Sequence, residues 1–241
     1  MEIVEAVALV RAQTVVSIPA SSAAQLSSQL PLFVGECDGS CEGGRFYWFV
    51  LTAESGERLH VYALSLAGAD GTLCLLSRYC SAPPFFSMLA ALTRKPKTLL
   101  PPLLSLLQPP PGMRLRISLP AEPMPPIDFI ASPAGYPPTA DPLHWEILLA
   151  LGISPLLSVV HALLLERPTL LISDSMPLLS TAIAALLRLL YPLKWEATLV
   201  PILPEALIGY IEAPTPFLMG ARKAGFAAAE LDTDHVLIVD L

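Results

Sequence analysis

From Leu163 to Ala221 the chain alternates short apolar runs with longer amphipathic ones, and this confines it to an α/β layer. A helix ends at Glu166-Arg167, and after Pro168 the run Thr169 to Ile172 has strand composition. Ser173-Asp174-Ser175 then offers side-chain oxygens for a helix N-cap, with Pro177 near the first turn, where its missing N–H costs nothing. Leu179, Ile183, Leu186, Leu187 and Leu190 fall on one helical face. Ala197 to Leu203 predicts a second strand, Pro204-Glu205 opens a second helix, and Glu212-Ala213-Pro214 closes it. Such an order builds parallel strands. At the far end, Val236 to Val239 reads as a buried strand.

The chain has 241 residues, of which 54% are hydrophobic and only 15% charged, so a membrane reading has to be weighed. The longest uncharged run, Ile147 to Leu165, is long enough to span a bilayer. It contains Gly152, Ser154, Pro155, Ser158 and His161, and it lacks basic flanks and an aromatic belt. Ser154-Pro155 reads as the cap and first turn of a buried helix in a soluble protein. A net charge of −7, with no basic clustering beyond Arg94-Lys95-Lys97 and Arg222-Lys223, argues against nucleic acid and against unaided docking on anionic lipid. Met1-Glu2-Ile3 carries acid where a secretory signal carries base, so a cytoplasmic chain is the default.

Residues 1–130 read as an α+β lobe. Ile3 to Val10 predicts a first strand, and Ser17 to Pro31 a loop. Phe46 to Thr52 and Arg58 to Leu64 flank Glu54-Ser55-Gly56-Glu57 as a hairpin, Thr72 to Leu76 follows as a strand, and Phe85 to Leu92 as a helix. Met113, Leu115, Ile117 and Leu119 alternate with polar residues as in a half-buried strand. Prolines concentrate in 101–111, 120–126 and 133–142. The first cluster suits either a polyproline-type recognition peptide or a stiff exposed connection, and its interruption by leucines favours the connection. Residues 131–142 are the expected interlobe linker, and 143–241 form the second lobe.

Chemistry is sparse. No glycine-rich strand-to-helix turn and no P-loop lysine is present. A hydrolase would need Ser173 or Ser175 with Asp174 and one of His60, His144, His161 or His235, yet no nucleophile elbow surrounds either serine, and capping accounts for all three residues. Cys37, Cys41, Cys74 and Cys80 suit free thiols, and the Cys37–Cys41 spacing lacks further zinc ligands beyond His60. His161, on an apolar helix, reads as a core residue. No cofactor and no metal is expected. Two prolines stiffen Ala213 to Phe217, so Tyr210 and Phe217, with Glu212 between them, are candidate partner-binding residues. Core packing is the other reading open to both rings, and it is the stronger one for Phe217.

The runs ERPTLLISDS, YPLKW and VPILPEALIGYIEAPTPFLMG, with Tyr191-Pro192, Trp195, Pro201, Leu203-Pro204, Tyr210 and Pro214-Thr215-Pro216-Phe217 in order, resemble the central segment of a DENN domain. Upstream, Phe49 to Thr52, Gly56-Glu57-Arg58-Leu59 and Leu75 to Tyr79 resemble the N-terminal DENN segment, with Cys80-Ser81-Ala82-Pro83 inserted before the Pro-Phe-Phe that usually follows the tyrosine. The resemblance implies a longin-like first lobe and a three-layer α/β/α second lobe with a mostly parallel sheet. It further implies a guanine-nucleotide exchange factor that engages the switch regions of a Rab-family small GTPase between two lobes, at vesicle or endosomal membranes. It also implies a third, helical segment after Val239-Asp240-Leu241. Without that segment, apolar surface is left bare or is covered by another chain, and a binding scaffold without exchange activity is the alternative.

Overall fold

The computed structural model describes residues 4–11, 14–18, 29–34, 45–52, 56–66, 71–80, 82–94, 96–106, 114–118, 126–130 and 151–241. It is a mixed α/β protein with one antiparallel and one parallel sheet and a separate two-stranded ribbon. Residues 1–46 and 51–138 form one unit, and residues 47–50 and 139–241 the other.

The antiparallel sheet is built on strands β1 (Ala6–Arg11), β2 (Thr14–Ile18), β3 (Arg45–Thr52), β4 (Arg58–Ser65) and β5 (Thr72–Ser77), in the order β2-β1-β5-β4-β3. β4 and β5 pair antiparallel from His60↔Ser77 to Ser65↔Thr72, and Leu59 to Ser65 are all buried, so this strand is covered on both faces. Helix α2 (Ala82–Arg94) packs on β4 and β5 through Phe85, Met88, Leu89 and Leu92, and the Phe85 ring stacks on Tyr62 with centroids 4.5 Å apart. Where β5 ends, the Arg78 guanidinium pairs with the buried Glu5 carboxylate and, at 2.7 Å, with Glu57. β6 (Arg114–Ile117) and β7 (Ile127–Ile130) form the ribbon, with Ile117 inside and Arg116 and Ser118 outside.

Two expectations are corrected here. The stretch read as a loop carries β2 through Ile18 and a helical turn, α1 (Leu30–Phe33), that buries Leu30. The first proline cluster opens inside a helix, α3 (Pro96–Leu104), with Pro101 and Pro102 in its interior. Each proline forfeits one bond to a carbonyl four residues back. Leu99 and Leu103, one turn apart, are both buried and hold the segment against that loss, while Ser105 closes the end by donating to the Pro101 and Pro102 carbonyls. Tertiary packing here outweighs propensity. The Cys37–Cys41 pair, the Glu54-Ser55 turn, His144 and the linker at 131–142 lie outside the described residues.

The second unit carries α4 (Ile153–Leu164), β8 (Thr169–Ile172), α5 (Met176–Leu189), β9 (Thr198–Leu203), a 3-10 helix (Glu205–Glu212), β10 (Phe217–Ala221), α6 (Lys223–Ala228) and β11 (Leu237–Asp240). The four strands lie in the order β11-β8-β10-β9 and are all parallel. They start level, since Thr169 pairs with Leu218 and Leu237, and Thr198 with Phe217. β9 is one border, and the β9–β10 register shifts beside Pro201, which has no N–H to give the ladder.

Alternation along β10 sorts the two faces. Phe217, Met219 and Ala221 join Leu170, Leu203 and Ile211 in a core beneath the 3-10 helix and α6, whose Phe226 packs on it. Gly220 faces the other way, against Leu179 and Ile183 of α5. α4 adds no residue to that core and packs on β11 and β8.

Gly152, at φ +84°, precedes α4 as its N-cap, a conformation closed to most side chains, so Ser154-Pro155 fall inside the first turn and do not cap it. The other end of α4 is a Schellman motif: Arg167 N–H donates to the Ala162 carbonyl and Glu166 N–H to Leu163. Glu166 there adopts φ +53°, where glycine is the usual residue. Replacing Glu166 with glycine is therefore expected to stabilise the protein by about 1 kcal/mol, read as a higher urea midpoint at unchanged slope. Three further readings change. The second predicted helix is a 3-10 helix, β11 buries only Val239 and is a half-exposed edge strand, and His161 is exposed. No helix among the described residues is long and apolar enough to cross a membrane.

Candidate functional site

The Ser173-Asp174-Ser175 turn leaves the C-terminal end of β8, the end at which open parallel sheets commonly bind small molecules. Its hydroxyls are engaged locally. Ser173 is buried, its N–H donates to the Ala221 carbonyl, and its Oγ accepts from the Ser175 N–H at 3.3 Å. Ser175 Oγ accepts from Leu178 N–H at 3.4 Å and caps α5, as its position predicts. His161, in the last turn of α4, and His235, before β11, sit at the opposite end of the strands, roughly 10 Å or more away along β8. His60 belongs to the antiparallel unit, where burial, and then Arg58, hold its pKa down at about 4. No serine–histidine pair is assembled from these residues. At the C-terminal end of the strands, where the Ser173 turn lies, Lys223 Nζ lies 2.5 Å from Asp240 Oδ1 and donates to the Leu241 carbonyl. The Asp240 hydrogen bond raises the Lys223 pKa against the opposing effect of desolvation. Cys74 is buried and its thiol is pushed up to about 12, which removes it as a nucleophile at neutral pH. Among the described residues no His, Cys, Asp and Glu cluster could hold a metal.

The surface around the 3-10 helix is of a different kind. Ile211 is fully buried and pins the element to the sheet, which turns Tyr210 outward at 61% exposure. Glu212 is exposed, and its Oε1 accepts from the Asp232 N–H at 3.0 Å, drawing the acidic 230–234 segment alongside. An exposed aromatic ring flanked by carboxylates is suited to an apolar partner surface with basic neighbours. Of the three residues singled out in the sequence, Tyr210 and Glu212 are both exposed on the 3-10 helix. Phe217 is not: it is fully buried in the core, beyond a partner's reach.

Sequence reasoning missed the exposed Leu164 at the end of α4, Leu165 just beyond it, and Tyr191 and Leu193 after α5. The signal was available, since the apolar pattern in both places runs past the end of its helix into a turn with Arg167 or Lys194.

Comparison with known proteins matches residues 70–241 to the DENN (AEX-3) domain. The chain is 38% identical over 97 residues to mouse DENN domain-containing protein 2A, covering 40% of this chain and 10% of that protein. It is 33% identical over 95 residues to DENN domain-containing protein C297.05 of Schizosaccharomyces pombe, covering 39% of this chain and 10% of the relative. With human DENN domain-containing protein 2D it shares 32% identity over 98 residues, 40% of this chain and 21% of the other. The matched parts thus span between a tenth and a fifth of these relatives. The domain match takes in β5, α2 and the whole parallel sheet, and so the chain belongs to the DENN domain family.

Proposed function

We propose that this chain binds a Rab-family small GTPase and promotes release of its GDP, with Tyr210 as the aromatic anchor and Glu212 as the acidic flank. The domain match over residues 70–241 carries this reading, and the outward-turned Tyr210 supports it. The mechanism is differential binding. A module that holds the nucleotide-free GTPase more tightly than the GDP-bound form moves the equilibrium toward release, with no covalent step. It acts as a regulator, and the peripheral vesicle or endosomal site expected from the resemblance goes with that role.

The test is release of fluorescent GDP from a panel of Rab proteins. Acceleration of one or more is expected, and uniform basal rates with folded protein would refute the proposal. Capture of a Rab without acceleration would instead mark a binding scaffold. Tyr210→Ala is expected to lower the stimulated rate on the order of tenfold to thirtyfold while leaving thermal unfolding unchanged, because the ring is largely in solvent.

A further inference from the structure

We propose that Thr215 is a phosphorylation site for a proline-directed protein kinase, and that the added phosphate extends the acidic flank of Tyr210. The second half rests on the reading of Tyr210 and Glu212 as partner contacts. Thr215 is exposed in the bend Pro214-Thr215 between the 3-10 helix and β10, and its hydroxyl has no hydrogen-bond partner among the described residues. Pro216 follows it directly. A proline in that place biases the acceptor away from helical backbone, and it suits a kinase groove that asks no backbone donor of the next residue. On the other side of Pro214, Ala213 is extended, at φ −62° and ψ 131°. Little ties the segment down. The Ala213 N–H donates to the Tyr210 carbonyl, and Pro214 and Pro216 have no N–H to give, so straightening the bend breaks few backbone bonds.

Among the described residues one other hydroxyl is followed by proline, and it differs in backbone. Ser154 is exposed and precedes Pro155, but both lie in the first turn of α4, where the Ser154 carbonyl accepts from Ser158 Oγ at 3.1 Å. A helical turn cannot lie along a groove shaped for extended peptide unless it unwinds. In the transfer, the Thr215 oxygen bonds to the γ-phosphorus of ATP and the bond from that phosphorus to the β–γ bridging oxygen breaks. ADP leaves, and the hydroxyl proton passes to the kinase. The product carries about two negative charges at neutral pH. Thr215 stands three residues beyond Glu212, so their Cα atoms are at most about 11 Å apart. Residues 205–216 include Glu205 and Glu212 and no Lys, Arg or His. The phosphate therefore adds to charge of one sign, the sign that attracts a partner with basic neighbours.

Incubation of the folded full chain with ATP and a proline-directed serine/threonine kinase, followed by mass spectrometry of the modified positions, tests the site. Phosphate on Thr215 with little on Ser154 is expected. Thr215→Val should remove that signal with thermal unfolding unchanged, and Pro216→Ala, which keeps the hydroxyl, should lower it on the order of tenfold. Phosphate absent from Thr215, or present on Ser154 and Thr215 alike, would overturn the proposal. Release of GDP from a Rab that the unmodified chain accelerates reads the second half. Phosphorylation is expected to raise the stimulated rate about threefold to tenfold at low salt and less at high salt. An unchanged or lower rate would overturn that half and leave the exchange reading standing. A chain that takes phosphate at Thr215 but accelerates no Rab would refute the exchange reading and the second half with it, while the site stands.

Discussion

Gly220→Ala is expected to destabilise the protein by about 3 kcal/mol or more, a large share of the stability typical of a domain. A Cβ at this position would lie 2.3 Å from the carbonyl oxygen of Pro201, on the neighbouring strand, and 3.3 Å from Ile183 Cδ1 and Leu179 Cδ2. The oxygen belongs to a paired backbone and cannot rotate aside as a side chain would. Relief would require β9 and β10 to separate at the point where their register already shifts. Gly225→Ala is the matched control. Its Cβ would come 2.8 Å from Glu205 Cγ, part of an exposed flexible side chain, so a cost within about 0.5 kcal/mol is expected. Urea unfolding of the two variants side by side decides the matter. Equal midpoints would show that the strands yield at Gly220.

Phe217→Ala should cost about 3–5 kcal/mol, the range for deleting a fully buried aromatic ring. Phe217 opens β10 with no exposed surface and fills the core with Leu170, Leu203, Ile211 and Met219. The variant also separates two meanings of a lost activity. Tyr210→Ala is expected to slow nucleotide release in a protein that melts normally, whereas Phe217→Ala lowers the melting temperature first and loses activity only as the fold is lost. A Phe217→Ala protein with normal stability and impaired release would place that ring on the partner surface after all.

How much could be read beforehand follows from where periodicity and chemistry agree. β8, α5 and β9 were legible because Pro168, Ser175, Pro177 and the Leu179–Ile183–Leu186 face all point to the same boundaries. α3 was hidden because proline speaks against a helix locally, while the burial of Leu99 and Leu103 that outweighs it is a tertiary fact. β11 reads as buried because Val236 to Val239 is apolar throughout, and composition does not reveal that a strand stands at a border with Ile238 partly in water. At the candidate site, the proline-framed segment after Tyr210 was readable, but which ring faces outward was not. That depends on Ile211 pinning the 3-10 helix and on the strand alternation that puts Phe217 inward.

Pro201 also bears on how the parallel sheet would come apart. Its carbonyl faces Gly220, so the donor it lacks is missing from the inner seam between β9 and β10, at the step where their register shifts. That seam is tied by fewer bonds than its length allows, and peeling of the β9 border would begin there from within the sheet.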